Sequence, residues 1–401
     1  MKSRNKIISG LLVWVTAVPF IGNASESATE TDNIVAEVLG NNADLKARAA
    51  EIRSAGLMNA ADNRLGGPDV DFEHQWGQKG VGNKWSVGIS QSFEWPGLYG
   101  ARRSANRKAD AAMIAAYNQA AFELNQQVRM LLVDVVSAKQ RRSAVVEMMD
   151  NLRSVKEKTA KAFEQGEATI LEMNKIELQL FSLETKLEDI DCELITLSGQ
   201  INALNGGIPV RLDAVVDYGA EGLLAEERYM ELIDQYDTQL AALRAEIESK
   251  RAGADVERLK RYPGFSLGYV HNVEIGEHFN GVSLGVSLPM FTGKHRERAA
   301  LSDAEAAEYN LDACRSQLHA ALLSDYAVAT KLGERIDSRK SLFTDGRYGD
   351  ALAKAFNGGQ MNLLDYLYET NFFIETKFDY IDLVARYHKL LVSLNRYNHG
   401  V

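Results

Sequence analysis

Residues 99–162 contain no proline and one glycine, Gly100. Within them Tyr117, Ala120, Leu124, Val128, Leu131, Val135, Ala138, Val145, Met149 and Leu152 recur at spacings of three, four or seven. That periodicity is the seam of a coiled-coil-like helix. Such a helix would be about 95 Å long at 1.5 Å per residue, whereas a globular helix averages roughly 11 to 12 residues. A rod of that length buries its seam only against other rods, so a tube or bundle is implied.

The chain is also duplicated. Each half reads helix, β-hairpin, very long helix, tight turn, long helix. In the first half a helical run over 32–63 precedes a hairpin at 69–95, a long helix at 99–162 and a helix at 168–205. In the second, a helical run over 226–261 precedes a hairpin at 264–291 with strands over 264–275 and 281–291, a long helix at 294–355 and a helix at 361–398. A connector at 208–225 divides the first repeat, 25–207, from the second, 226–401. Ser86-Val87-Gly88-Ile89-Ser90 lies over Ser283-Leu284-Gly285-Val286-Ser287, Phe163-x-x-Gly166 over Phe356-x-x-Gly359, and Asn202-x-x-Asn205-x-Gly207 over Asn395-x-x-Asn398-x-Gly400. Basic clusters follow each hairpin: Arg102, Arg103 and Arg107 in one half, Lys294, Arg296 and Arg298 in the other.

The strands alternate with period two. Trp85, Val87, Ile89, Phe93 and Trp95 share one face; Ser86, Gly88, Ser90 and Ser92 share the other. Val282, Leu284, Val286, Leu288 and Met290 alternate with Ser283, Gly285, Ser287 and Pro289. Membrane barrel strands are patterned this way, and so are half-buried strands of soluble sheets. Aromatic residues at or near the strand ends, among them Trp76, Trp85, Trp95 and Phe291, match interfacial girdles and favour the membrane. Four strands cannot close a barrel, because the smallest membrane barrels have about 8 and lipid tolerates no open edge. Several chains would have to share one.

Residues 1–24 read as a secretory signal: basic Lys2, Arg4 and Lys6, an apolar stretch over 7–21, then small residues. Its loss takes the net charge from −10 to −13, which disfavours nucleic acid as a partner. Cys192 and Cys314 supply no disulfide framework and read as buried free thiols. No phosphate-binding glycine loop, His-Glu-x-x-His or Gly-x-Ser-x-Gly motif occurs, so the chain is not expected to be an enzyme. No histidine or methionine pair has ligand spacing for a metal, and no cofactor is expected.

In the order of its elements, in Phe93-Glu94-Trp95-Pro96-Gly97 and Pro289-Met290-Phe291-Thr292-Gly293 at the strand ends, and in Phe-x-x-Gly turns followed by leucine and an acid, the chain resembles the TolC-like outer-membrane efflux proteins. The resemblance covers nearly everything after the signal. It implies a mainly α fold with a membrane β-barrel portion, four strands per chain in a 12-stranded homotrimeric barrel, and a helical periplasmic tunnel. It implies a passive channel in the outer membrane, working with a periplasmic adaptor and an inner-membrane resistance–nodulation–division transporter. The segment from Phe93 to Arg103 looks most like the branch that includes heavy-metal exporters. Type I protein secretion is the alternative for the same duct, and a non-pore periplasmic coiled-coil scaffold is the alternative from another class.

By the same resemblance, Phe163, Gly166 and Leu171, with Phe356, Gly359 and Leu364, form the adaptor-docking tip of the tunnel. Asp365 lines the closed entrance, and Glu172 holds the equivalent place in the first repeat. Glu369 lies one helical turn beyond Asp365. Three-fold symmetry would turn each carboxylate into a ring attracting cations. Trp76, Trp85, Trp95, Phe291, Arg102 and Arg103 would meet outer-membrane lipid at its interfaces. Read without the resemblance, the turns are plain helix hairpins and the acids are a solvated helix face.

Overall fold

A computed structural model describes residues 30–78, 80, 82–219, 222–289, 293–344 and 347–397. The expected signal at 1–24, Phe291, Asn398 and Gly400 lie outside the described residues. In chain order the elements are α1 (Glu30–Asn41), α2 (Ala43–Asp62), β1 (Asp69–Gln75), β2 (Lys84–Phe93), α3 (Pro96–Glu164), α4 (Ile170–Leu204), α5 (Glu226–Tyr236), α6 (Thr238–Leu259), β3 (Gly264–Glu274), β4 (Glu277–Ser287), α7 (Gly293–Thr344), α8 (Arg347–Asn357) and α9 (Leu363–Leu394). They fall into two compact units, each drawing segments from both sequence repeats. No helix among the described residues is long and apolar enough to cross a membrane.

The helix-then-hairpin order stands, with two corrections. Each helical run expected before a hairpin is two helices. Asn42 separates α1 from α2, and its Oδ1 accepts the Leu45 N–H at 3.0 Å. Asp237 separates α5 from α6, and its carboxylate accepts the Leu240 N–H at 2.9 Å. Both side chains are buried, so each break is a capped helix start inside the protein. The second correction is the last strand, expected over 281–291 and found at Glu277–Ser287. Glu274 pairs with Glu277, leaving a two-residue turn. Ile275 at φ 51° and Gly276 at φ 84° give it the positive dihedrals of a type I′ hairpin turn.

Unit one comprises residues 30–49, 124–225 and 325–397 among those described. Its part of α3 is lined by Val128, Val135, Val145 and Leu152, all fully buried; burying one such side chain contributes about 1.5–3 kcal/mol. Leu132 takes the buried place expected of Leu131, which is half-buried. Polar clasps set the alignment of the rods: Arg129 of α3 reaches Asp32 of α1, Arg141 reaches Glu193 of α4 at 2.7 Å, and Lys377 of α9 reaches Glu147 at 3.5 Å.

Unit two comprises residues 50–123 and 226–324, apart from those not described. Asn59 of α2 donates to Asp110 of α3 at 2.8 Å, Lys108 of α3 pairs with Glu248 of α6, and Arg251 of α6 pairs with Glu308 of α7 at 2.7 Å. Pro96 opens α3 at the first helical position, where its missing N–H costs nothing. The strands form one antiparallel sheet in the order β1-β2-β3-β4.

Candidate functional site

Strand register sorts the sheet's side chains into two faces of opposite character. Val70 pairs with Ile89, Ile89 with Tyr269 and Tyr269 with Val282. Rows above and below hold Phe72 with Val87, Leu267 with Leu284, and Phe93 with Phe265 and Val286, and toward the β3–β4 turn the same face carries His271, Asn280 and His278. This apolar face is open: Leu284 is 81% exposed and Val282 73%. No described element covers it. An uncovered sheet of branched and aromatic side chains in water would be an aggregation surface.

The opposite face is small and polar. Gly264 faces Ser287, Ser266 faces Gly285, and Gly268 faces both Ser283 and Ser90. A Cβ on Gly268 would lie 2.5 Å from the Ser283 Oγ and 2.9 Å from the Ile89 carbonyl oxygen, so nothing larger than glycine fits there. Asp69, Asp71 and Glu73 of β1 share this face. Strands β1 and β4 each pair on one side only among the described residues, so the sheet ends in two open edges.

Of the expected interface residues, Trp76 is 81% exposed beside the β1–β2 turn, and Trp85 packs near His271 with ring centroids 5.7 Å apart. Trp95 lies at the other end of the strands, stacked on Tyr262 at 5.1 Å. Arg102 is held inside the unit by Glu94 at 2.8 Å and the Asp62 carbonyl at 3.2 Å. Arg103, Arg107, Lys294, Arg296 and Arg298 are exposed.

In unit one the two helix hairpins close in the same way. At the first, the Glu167 N–H reaches the Ala162 carbonyl at 2.8 Å with Gly166 at φ 78°. At the second, the Gln360 N–H reaches the Ala355 carbonyl at 2.9 Å with Gly359 at φ 69°. Both are Schellman closures that demand a left-handed residue. Around them Phe163, Leu171 and Leu364 are exposed, while Phe356 packs on Tyr366 at 4.8 Å.

Two of the three expected pore carboxylates, Glu172 and Asp365, lie in the capping turns of helices. Glu172 accepts the Thr169 N–H at 2.7 Å while the Thr169 hydroxyl accepts the Glu172 N–H at 3.2 Å, a reciprocal capping box at the start of α4. Hydrogen bonds from the Thr169 backbone and hydroxyl hold the Glu172 carboxyl below its usual range. The cap therefore contributes fully above the unfolded carboxyl pKa and weakens as pH falls through the lower folded value. At α9, Asn362 accepts the Asp365 N–H at 2.9 Å and donates back to the Asp365 carboxylate at 2.7 Å. Glu369 accepts the Tyr348 hydroxyl at 2.8 Å, tying α9 to α8; that bond and burial raise the Tyr348 pKa.

Helices α4 and α9 leave apolar stripes uncovered. On α4 Leu171, Leu178, Phe181 and Ile195 fall on one exposed heptad-spaced line; on α9 Leu364, Tyr368 and Phe372 form a second. The intervals of seven, three and fourteen on α4 are those of a coiled-coil seam, whereas the α9 residues recur at every fourth position along one helix face.

Lys139, in mid-α3, has no sequence signature. Its ammonium reaches the carbonyls of Leu212, Asp213 at 3.3 Å and Val215 at 3.0 Å, matching three N–H donors to three acceptors. This staples the connector to the helix, beside Tyr218, which stacks on His388 at 4.4 Å and whose pKa burial pushes up to about 12. Replacing Lys139 with Met keeps the stem and removes the donors. Charge-assisted bonds are each worth about 1.5–3 kcal/mol, so limited proteolysis should cut between 211 and 219 much faster in the variant while α3 stays intact.

No group of three or more His, Cys, Asp or Glu side chains suited to a metal occurs among the described residues. Cys192 and Cys314 are free thiols but not the buried ones expected: Cys192 is exposed and Cys314 half-buried.

No sequence model of a known family matches this chain, and no curated protein matches it. Solved structures do. The outer-membrane channel OprN matches with a TM-score of 0.72 and 17% identity, over 92% of this chain and 90% of its own. The CmeC outer membrane channel of Campylobacter jejuni gives 0.70 and 15%, over 99% and 92%. CusC, a protein that forms a transmembrane channel, gives 0.67 and 15%, over 93% and 94%. The chain has the TolC-like outer-membrane channel fold: long helices with a small four-stranded antiparallel sheet.

Proposed function

We propose that the chain is one subunit of a homotrimeric outer-membrane duct. It passively conducts small solutes or metal ions delivered by an inner-membrane resistance–nodulation–division transporter and a periplasmic adaptor. One observation carries this reading: a four-stranded sheet with an exposed apolar face, a small polar face and two edges unpaired among the described residues. Lipid satisfies the apolar face, water satisfies the polar one, and only neighbouring copies satisfy both edges without exposing backbone groups to hydrocarbon. Three copies supply 12 strands by the resemblance already drawn.

On this reading Asp69, Asp71 and Glu73 line the lumen and favour cations. The exposed basic residues after each hairpin face headgroups on the periplasmic side. The stripes on α4 and α9 meet other subunits, and the tip residues Phe163, Gly166, Leu171, Phe356, Gly359 and Leu364 receive the adaptor. Transport is driven by the inner-membrane partner, so the chain itself needs no catalytic group.

Reconstitution in a planar bilayer tests the duct. Purified protein should give discrete, long-lived current steps; a chain that folds and yields none is not a channel. The Asp365 ring has its own test. Asp365→Asn keeps the backbone cap on Asn362 and removes the charge, so cation preference should fall and current through the tip should rise. An unchanged reversal potential together with unchanged conductance would refute the assignment of Asp365 to the constriction.

A further inference from the structure

We propose that His271 and His278 form a two-imidazole binding site for a borderline divalent cation, Ni2+, Cu2+ or Zn2+, at the turn end of the second hairpin. In the sequence the two histidines are seven apart and look unrelated. The two-residue turn at Ile275-Gly276 fixes the register so that His271 faces Asn280 and Val273 faces His278. The histidines thereby become diagonal neighbours on the apolar face of the sheet, in its two rows nearest the turn and past the row of Tyr269 and Val282, which the proposed reading leaves beyond the hydrocarbon and open to water.

Their nitrogens converge. Nε2 of His271 is 3.4 Å from Nδ1 of His278, and the rings lie 5.4 Å apart. That separation is long for a hydrogen bond to nitrogen. It matches the roughly 3.3–3.4 Å edge of a tetrahedron whose metal–nitrogen bonds are about 2.0–2.1 Å.

The His271 ring is also oriented as a ligand. Asn280 Oδ1 accepts the Tyr269 hydroxyl at 2.7 Å and lies 2.8 Å from His271 Nδ1. An amide oxygen only accepts, so Nδ1 carries the proton and Nε2 turns its lone pair toward His278. Metal-bound imidazoles are commonly oriented by such an outer partner. The nearest acids of the hairpin, Glu274 and Glu277, fall on the opposite face by strand parity. The donor set is therefore two nitrogens completed by water, which suits nickel, copper and zinc and disfavours calcium and magnesium. Two protein ligands give sub-millimolar binding, not a permanently held ion.

Trp85, 5.7 Å from the His271 ring, reports occupancy, because Ni2+ and Cu2+ quench a nearby indole. The experiment uses the full chain without a histidine tag, purified in detergent and titrated with NiCl2 or CuCl2. Quenching should saturate near one ion per chain and be reversed by excess ZnCl2; CaCl2 and MgCl2 should do nothing. His271→Gln and His278→Gln should each weaken binding by more than about tenfold, and Asn280→Ala by about tenfold. His388→Gln should leave it unchanged. Quenching that fails to saturate, or that survives both histidine changes, means a plain imidazole hydrogen bond and overturns the site. A readout needing no variant is protection of both rings from diethylpyrocarbonate by ZnCl2, scored by mass spectrometry; equal labelling with and without zinc also overturns it.

Discussion

Leu284→Lys should keep the chain out of the membrane fraction, whereas Ser283→Lys, one residue away, should leave insertion intact and alter conductance. The two residues alternate across strand β4. Leu284 belongs to the open apolar face and is 81% exposed. Ser283 belongs to the face where serines oppose glycines. A lysine at the bilayer midplane of a barrel costs about 2–4 kcal/mol. In the proposed trimer it would stand in every copy, so one substitution would cost the assembly roughly 6–12 kcal/mol, comparable with the whole stability of an ordinary domain. On the lumen side the same charge stays hydrated. Membrane fractionation and single-channel recording check the pair. Equal loss of both variants, or equal tolerance of both, would contradict the assignment of faces.

The second large effect is expected at the uncovered helix stripes. Phe181 is 68% exposed on α4 and Phe372 59% on α9, and neither has a reason to be apolar in a lone chain. Covering a phenylalanine contributes about 1.5–3 kcal/mol. The double change Phe181→Glu with Phe372→Glu removes two such contacts per chain and adds six acids to a trimer. Dissociation of the helical part into single chains on size exclusion is expected, with helix content by circular dichroism retained. An assembly of unchanged size would mean that these stripes face solvent or another protein.

Features with a period were legible in the amino-acid sequence. The seam of α3 and the alternation in β2 and β4 announce themselves because packing imposes 3.6- and 2-residue repeats on side chains. Features set by one side chain meeting a distant backbone were not. Lys139 binds carbonyls some seventy residues further on. Asn42 and Asp237 each stop a helix through a buried cap, yet in sequence they interrupt an apolar rhythm no more than other polar residues do. The last strand was misplaced because Ile275 occupies a turn position that asparagine or aspartate usually marks, and the His271–His278 pairing was hidden by the same turn. Thr169-x-x-Glu172 could have been read as a capping box from its spacing. Its structural bond to Thr169 and the proposed pore role are compatible, because a carboxylate at a helix start can cap its own backbone and still present charge to a lumen.

Native mass spectrometry of the protein extracted from membranes tests the shared barrel most directly. A mass about three times that of one chain, resistant to SDS until heated, is the result expected from a sheet whose two edges are closed by other copies. A stable species of one chain mass, with the sheet intact and both edges protected from hydrogen exchange, would contradict it.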